Sequence, residues 1–352
     1  MKKKHIIVLL LALMLLVFSV CYFSKQQMRP QAVAIGFYNL ENLFDTINDV
    51  GLLLSEEFTP ESEKQWTSSR YHDKLVNLAF VISKMATDTV PDGLALLGVC
   101  EVENRGVLDD LVRQPSIKGR NYQIVHYDSP DERGIDVGLL YNPRYFRVTN
   151  SKTYKLTLAD DSAFLSRDQL VVSGYLEDEL YHILVNHWPS RRGGEEQSRP
   201  KRNAAGDLSR YIVDSLVALD VNANILVMGD MNDDPVNESI IEHLGAKHDP
   251  RKLAEGDLFN PMHQIYSNGE GTLKFKGEWN LFDMIIVSSG ILHGEDSEFK
   301  FAKAEIFNED FLKQKGGAYE GYPNRTYGGK KYLGGYSDHF PVYVILTKNT
   351  GQ

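Results

Sequence analysis

Six stretches of this chain each set an acid, an amide or an imidazole at the edge of an apolar run. "GFYNLEN" carries Asn39 and Glu41, and "LLGVCEVEN" carries Glu101 and Glu103. "LVNHWPS" carries Asn186 and His187, and "LVMGDMN" carries Asp230 and Asn232. "LFDMIIV" places Asp283 at the start of its run, and "YSDHFPVYVIL" places Asp338 and His339 just before the last one. A single Asp or Asn after a strand is ordinary turn chemistry, because its side chain satisfies turn amides. Six such ends call for more. A charge taken from water must be paired, hydrated or bound to a metal. A donor set made almost entirely of oxygen suits Mg²⁺, Mn²⁺ or Ca²⁺ rather than zinc.

These residues need strands to hold them. "VAIGFYNL", "LALLGVCEV", "YQIVHY", "DVGLLY", "YHILVNHW", "NILVMGD", "LFDMIIVSS" and "FPVYVIL" read as strands, mostly as unbroken apolar runs, which is the pattern of strands covered on both faces. Helical spacing runs from Ser69 to Asp88, with Leu75, Leu78, Ala79, Ile82 and Met85 on one stripe. "RGVLDDLVRQ" reads as a short helix and residues 203–218 as a long one, while 45–67 reads as a loop. Strands cluster between 120 and 190, so the expected architecture is layered α/β: two mixed sheets packed together with helices outside. No repeat or linker divides residues 31–352, which are expected to form one catalytic domain.

Composition narrows the setting. The 352 residues are 42% hydrophobic and 24% charged, a globular balance, with net charge −10 and a pI near 5.5. Such a chain does not hold nucleic acid by bulk charge alone. The two cysteines, Cys21 and Cys100, exclude a disulfide framework and a thiolate zinc site. "MKKKH" followed by the apolar run of residues 6–23 reads as an export signal or signal anchor, with Cys21 in a weak lipoprotein context. Residues 1–30 are therefore expected to export the chain and tether it to a membrane, with the remainder on the far side as a monomer.

"GDMND" and "SDHFPV", with the order of the other motifs between Asn39 and His339, resemble the endonuclease/exonuclease/phosphatase superfamily. That group includes pancreatic-type deoxyribonuclease, apurinic endonucleases, inositol phosphate 5-phosphatases and neutral sphingomyelinases. The resemblance implies a four-layer α/β/β/α sandwich and hydrolysis of a phosphate ester with Mg²⁺, or alternatively Mn²⁺. Carried over by position, Glu101 resembles the family's metal-binding glutamate, with Asn39 beside it and Glu41 and Asp338 as further metal-side groups. Asp230 and Asn232 resemble the pair that contacts nucleophile and phosphate. Asp283 and His339 resemble the aspartate–histidine pair, His187 a histidine of the deoxyribonuclease and sphingomyelinase branches, and Arg133 a phosphate-contacting arginine. A neutral His339 would take the proton of the attacking water, and a protonated His187 would bind phosphate. The expected substrate is a phosphodiester, nucleic acid first, with a phosphomonoester or lipid phosphodiester as alternative. A phospho-ligand-binding member without activity is a third reading.

Four further expectations concern surroundings. Arg191, Arg192, Arg199, Lys201 and Arg202 read as one basic loop made pliable by Gly193 and Gly194, where Arg191 and Arg192 would clamp substrate phosphate, with a solvated loop balanced by Glu195 and Glu196 as the alternative. Asp230 and Asn232 alternate about Met231 and would share one face of an extended segment, with Asp233 and Asp234 forming the turn before Pro235. The tyrosine- and glycine-rich stretch 316–336 reads as a packed loop, with stacking on bases as the alternative. His72, His126, His182, His243, His248 and His263 read as ordinary core or surface residues.

Overall fold

The computed structural model describes residues 31–49, 51–52, 54–294 and 298–348. The expected leader or anchor at residues 1–30 lies outside the described residues, and within them no helix is long and apolar enough to cross a membrane.

The strands follow in chain order. They are β1 (Ala32–Leu43), β2 (Leu94–Val102), β3 (Gln123–His126), β4 (Asp136–Tyr141), β5 (Phe146–Tyr154), β6 (Gln169–Leu176), β7 (Glu179–His187) and β8 (Asn224–Asp230). The short β9 (Ala246–Lys247), β10 (Leu258–Phe259), β11 (Leu273–Phe275) and β12 (Glu278–Asn280) precede β13 (Asp283–Ser288) and β14 (Lys300–Ile306). After β15 (Tyr327–Gly328) and β16 (Lys331–Tyr332), β17 (Val342–Thr347) closes the described fold. One sheet has the order β14-β17-β1-β2-β4-β3 and the other β5-β6-β7-β8-β13-β10-β9. Each holds a parallel pair near its centre, β1 with β2 and β7 with β8, flanked by antiparallel neighbours. β1 and β17 run antiparallel from Ala32↔Thr347 to Phe37↔Val342.

The apolar runs are explained by burial on both faces. In β1, Val33, Ile35 and Phe37 join the core shared with the second sheet, while Ala34, Tyr38 and Leu40 join the core beneath the outer helices. The sheets approach closely: a Cβ on Gly98 would lie 2.5 Å from the sulfur of Met228 across the interface. Helix α1 (Ser68–Lys84) begins at Thr67, whose hydroxyl accepts the Arg70 N–H, and α2 (Arg105–Val112) begins at Asn104, whose Oδ1 accepts the Val107 N–H. Both bury their apolar stripes on the first sheet, and α3 (Glu195–Val217) puts Ala205, Ile212 and Val213 on the second. The expected α/β/β/α layering is thus the observed one.

Two boundaries differ from expectation. Helix α3 starts at Glu195, not near 203, so most of the supposed flexible basic loop is its first turns. Buried Ser198 and Arg202 anchor those turns despite Pro200. The sequence reading also leaves β5, β6 and β14 unnamed.

Candidate active site

Three adjacent strands end in register. His187 of β7 pairs across the ladder with Asp230 of β8, which pairs in turn with Asp283 of β13. The facing edge is built by β1 and β2, where Asn39 lies opposite Cys100, one residue before Glu101. Asn39 joins the two sheets: its Nδ2 donates to Oδ2 of Asp230 at 3.0 Å, and its Oδ1 accepts the Glu41 N–H at 2.9 Å.

The ladder is interrupted where the site begins. Register shifts fall between Asn39 and Leu43 and between Cys100 and Val102. Glu41, Asn42 and Glu101 there take left-handed backbone, φ +48°, +51° and +58°. A bulge inserts a residue and re-aims a side chain, and a non-glycine residue in this region stores strain that the surroundings must hold. They do hold it: the Asn42 N–H donates to Oε2 of Glu101 at 3.0 Å. Oε1 of Glu101 then faces Nε2 of His187 at 3.9 Å.

His339 and Asp283 form a tight polar pair, with Nδ1 to Oδ2 2.6 Å and Asp283 fully buried. Ser337 sets the histidine's approach, because its hydroxyl donates to the Asn39 carbonyl and accepts the His339 N–H. Burial works against a charge on His339, but Asp283, its hydrogen bond, then Asp230 and Asp338 outweigh it, so the imidazole keeps its proton well above the ordinary histidine range. A base role for His339, as expected from the sequence, would require it first to give up that proton. Asp230 is pushed up to about 7, by burial first, against the pull of His339 and with the repulsion of Asp283.

His187 shifts the other way. Burial, then Arg167 and Arg133, hold it well below the usual value, so it is neutral rather than the protonated group expected. Its buried Nδ1 has no hydrogen-bond partner, and its Nε2 points between Asp230, at 3.7 Å, and Glu101. That environment assigns the ring proton to Nε2. Behind it, Arg167 donates to the His187 and Trp188 carbonyls and to Asp131, while Arg133 donates to the other oxygen of Asp131. Nη2 of Arg133 is buried without a partner beside this wall, so Arg133 keeps a donor for an incoming anion.

Other expected residues have different work. Asn232 is not on an extended segment: with φ +52° it closes a turn in which its N–H donates to Oδ1 of Asp230 and its Nδ2 to the Trp188 carbonyl. Asp233 and Asp234 are buried anchors rather than turn formers. Asp233 forms an ion pair with Arg202 at 2.7 Å and accepts hydrogen bonds from Arg191 at 3.0 Å and from the Ser239 hydroxyl, while Asp234 accepts the Leu281 N–H. Arg191 is consequently no free clamp, because it also donates to the Asn232 carbonyl and to Asn237 and stacks on Phe282. Arg192 is exposed on the surface. Glu41 turns away from a ligand's role: Oε2 accepts the Thr326 N–H and lies 3.7 Å from Lys74, and Oε1 lies 3.4 Å from Arg325. Arg325 also holds Asp338 at 2.8 Å. In the stretch 316–336, Tyr327 and Tyr332 pack with each other and near Trp66, as a packed loop does.

The sequence reading missed Lys74, Arg167 and Arg325, and it placed Arg202 on the basic loop where the structure buries it in α3 against Asp233. Only Lys74 left a signal, since it falls four residues before Leu78 on the apolar stripe of α1. Oxygens suited to a hard divalent ion converge at the site. Ligand atoms of Asp230, Asp283 and His339 lie within 4.8 Å of one another, but Asp283 and His339 are committed to each other. Glu101 Oε1 and Asp230 Oδ2 face the same His187 Nε2, at 3.9 and 3.7 Å, and the Glu101 oxygen is not committed to a hydrogen bond, so it is the freer donor for a hard ion.

Several solved structures share this fold. A D. rerio TDP2 complexed with single strand DNA product is 11% identical, with TM-score 0.54 over 91% of this chain and 100% of that one. An endonuclease/exonuclease/phosphatase family protein from Bacteroides thetaiotaomicron is 15% identical, with TM-score 0.53 over 92% and 100%. A mannosyl-6-phosphatase from the same organism is 14% identical, with TM-score 0.52 over 90% and 99%. No curated protein sequence matches the chain. The family profile that matches spans residues 34–348, from the second residue after the start of β1 to just beyond β17, and by that match the chain belongs to the Endonuclease/Exonuclease/phosphatase family.

Proposed function

We propose that the protein is a metal-dependent phosphoesterase that hydrolyses a phosphodiester by in-line attack of water, with nucleic acid as the first substrate class. The observation that carries this reading is the buried Asp283–His339 pair set beside Asp230, Asn39 and Glu101. A divalent ion held by Glu101 and Asn39, Mg²⁺ before Mn²⁺, would supply Lewis-acid stabilisation of charge on the phosphate oxygens. The chain's own groups do the rest. Protonated His339 donates to a non-bridging oxygen, held in place by Asp283. Asp230, poised near neutrality, takes the water's proton, and the amide of Asn39 aims its carboxylate. Neutral His187 and Arg133 line the far wall for the phosphate.

The sign of the pH dependence follows. Asp230 accepts a proton only when ionised, and its carboxyl sits at about 7. The rate should therefore fall up to about tenfold per pH unit as the solution is acidified below that value. A kcat profile from acid to alkaline pH in saturating Mg²⁺ would show this limb. The limb should vanish in Asp230→Asn, and an Asp230→Asn enzyme retaining the same limb would remove Asp230 as the base.

A phosphomonoester of a sugar is the second reading, favoured by the internal pairing of Arg191, which leaves the site edge without the expected cationic clamp for a long polyanion. The mannosyl-6-phosphatase among the similar structures lies in the same direction. The test sets circular DNA, single-stranded DNA, bis-p-nitrophenyl phosphate and mannose 6-phosphate side by side, with Mg²⁺, Mn²⁺ or EDTA. Hydrolysis of the diesters, abolished by EDTA and restored by Mg²⁺, is the expected result. Turnover of the monoester alone would transfer the assignment to the second reading, and activity undiminished by EDTA would end the metal-dependent one. Export and membrane tethering through residues 1–30 belong to the same proposal and rest on the basic–apolar N-terminal sequence.

A further inference from the structure

Two carboxylates at the mouth of the site are already neutralised by the chain. Glu41 is buried, and α1 delivers Lys74 to it from behind the first sheet. Lys74 is itself fully buried, and its ammonium donates to the Thr326 hydroxyl and the Tyr336 carbonyl, both at 2.7 Å. Arg325 bridges the same carboxylate to Asp338, reaching Glu41 through Nε at 3.4 Å and Asp338 through Nη2 at 2.8 Å. The quartet Glu41, Lys74, Arg325 and Asp338 therefore sums to zero charge. Glu101 lies outside it, with Oε2 accepting the Asn42 N–H and Oε1 facing the His187 imidazole. On the β1–β2 edge, Glu101 is the carboxylate that remains outside the quartet.

We propose that Lys74 and Arg325 stand in for a second divalent ion, so that the site takes a single ion on the Glu101 side. The inference rests on the metal-dependent reading above. A second ion on Glu41 and Asp338 would have to lie where the guanidinium already lies, beside a buried ammonium. Removing a buried carboxylate's counter-charge and adding a like charge nearby are both costly. Arg325 is the replaceable member. Its side chain is 46% exposed, whereas that of Lys74 is sealed within the fold. Planar, always charged and held between two carboxylates, Arg325 keeps a fixed positive charge at the site mouth, which a second metal would otherwise bring.

The test is a count of bound ions rather than a rate. Mn²⁺ is titrated into the full chain, and free Mn²⁺ is read by electron paramagnetic resonance, with thermal melting as a check of fold. One ion per chain is expected for the wild type and for Arg325→Lys. Arg325→Ala should take up a second ion, at least about tenfold weaker than the first, because Glu41 and Asp338 are released. Two ions in the wild type, or a folded Arg325→Ala that still binds one, would overturn the proposal and leave the phosphoesterase reading standing. A wild type that binds no Mn²⁺ would overturn both.

Discussion

Replacing His339 with alanine is expected to lower kcat about a thousandfold, the upper end of what losing one charged donor to a phosphate or oxyanion oxygen costs. The residue touches both elements of the proposed chemistry: Asp283 behind it at 2.6 Å and the field of Asp230 in front. Alanine also strands the fully buried Asp283, whose Oδ1 has no partner already, and so adds a structural loss to the chemical one. His339→Gln separates the two effects, because its amide can still donate to Asp283 but carries no charge. Both variants should be slow by a similar factor, with KM changed much less than kcat. Steady-state kinetics on bis-p-nitrophenyl phosphate, with melting curves alongside, makes the measurement. Near-normal kcat in the glutamine variant would assign His339 to packing and remove it from the chemistry.

The largest stability loss is expected at Asp233, a residue outside the chemistry. It is buried, and it is the meeting point of Arg202 from α3, Arg191 from the loop before α3 and the Ser239 hydroxyl. Asp233→Ala leaves the wholly buried Arg202 guanidinium without its carboxylate, and breaking such a pair from one side costs roughly 3–5 kcal/mol. For a fold of this size that is a drop in Tm on the order of 10 °C. Asp233→Leu combined with Arg202→Met should recover much of it, since replacing both partners by apolar groups avoids the stranded charge. Arg191 also fixes the Asn232 carbonyl, two residues from Asp230, so Asp233→Ala should lower activity through the site's geometry even below its melting temperature. A Tm within a degree or two of wild type would mean that water reaches Arg202 and that the anchor is weak.

How legible these features were in the sequence depended on whether neighbouring residues carried the signal. β1, β2, β8 and β13 could be read because both of their faces are buried and the residues stay apolar. β5 could not, because "FRVTNSKTY" forms a sheet edge with mostly solvated side chains and reads like a loop. The polar strand ends were visible as residue types, and the register of β7, β8 and β13 sets three of them in one row. Partnership was invisible. Arg191 looked free because the residues that hold it, Asp233 and Asp234, lie about forty positions away and looked like a turn. Glu41 looked like a ligand because Lys74 and Arg325 reach it from a helix and a loop distant in sequence. The left-handed backbone of Glu101 gave no warning either, since glutamate is not a residue that local preference puts there.

The pairing of Ala32 with Thr347 brings the first and last described strands side by side, about 5 Å apart across one ladder rung. Asn39 lies seven residues further along β1, roughly 23 Å from that rung at the usual strand rise. Start and finish of the described fold are thus neighbours, at the opposite end of β1 from the reacting groups. A short peptide joining Ala32 to Thr347 would close the described fold into a circle, and new ends cut in an exposed turn would sever neither parallel pair. A reporter or affinity handle joined after β17 would likewise stand clear of the pocket, so permuted and fused forms offer working versions of this protein that leave the site untouched.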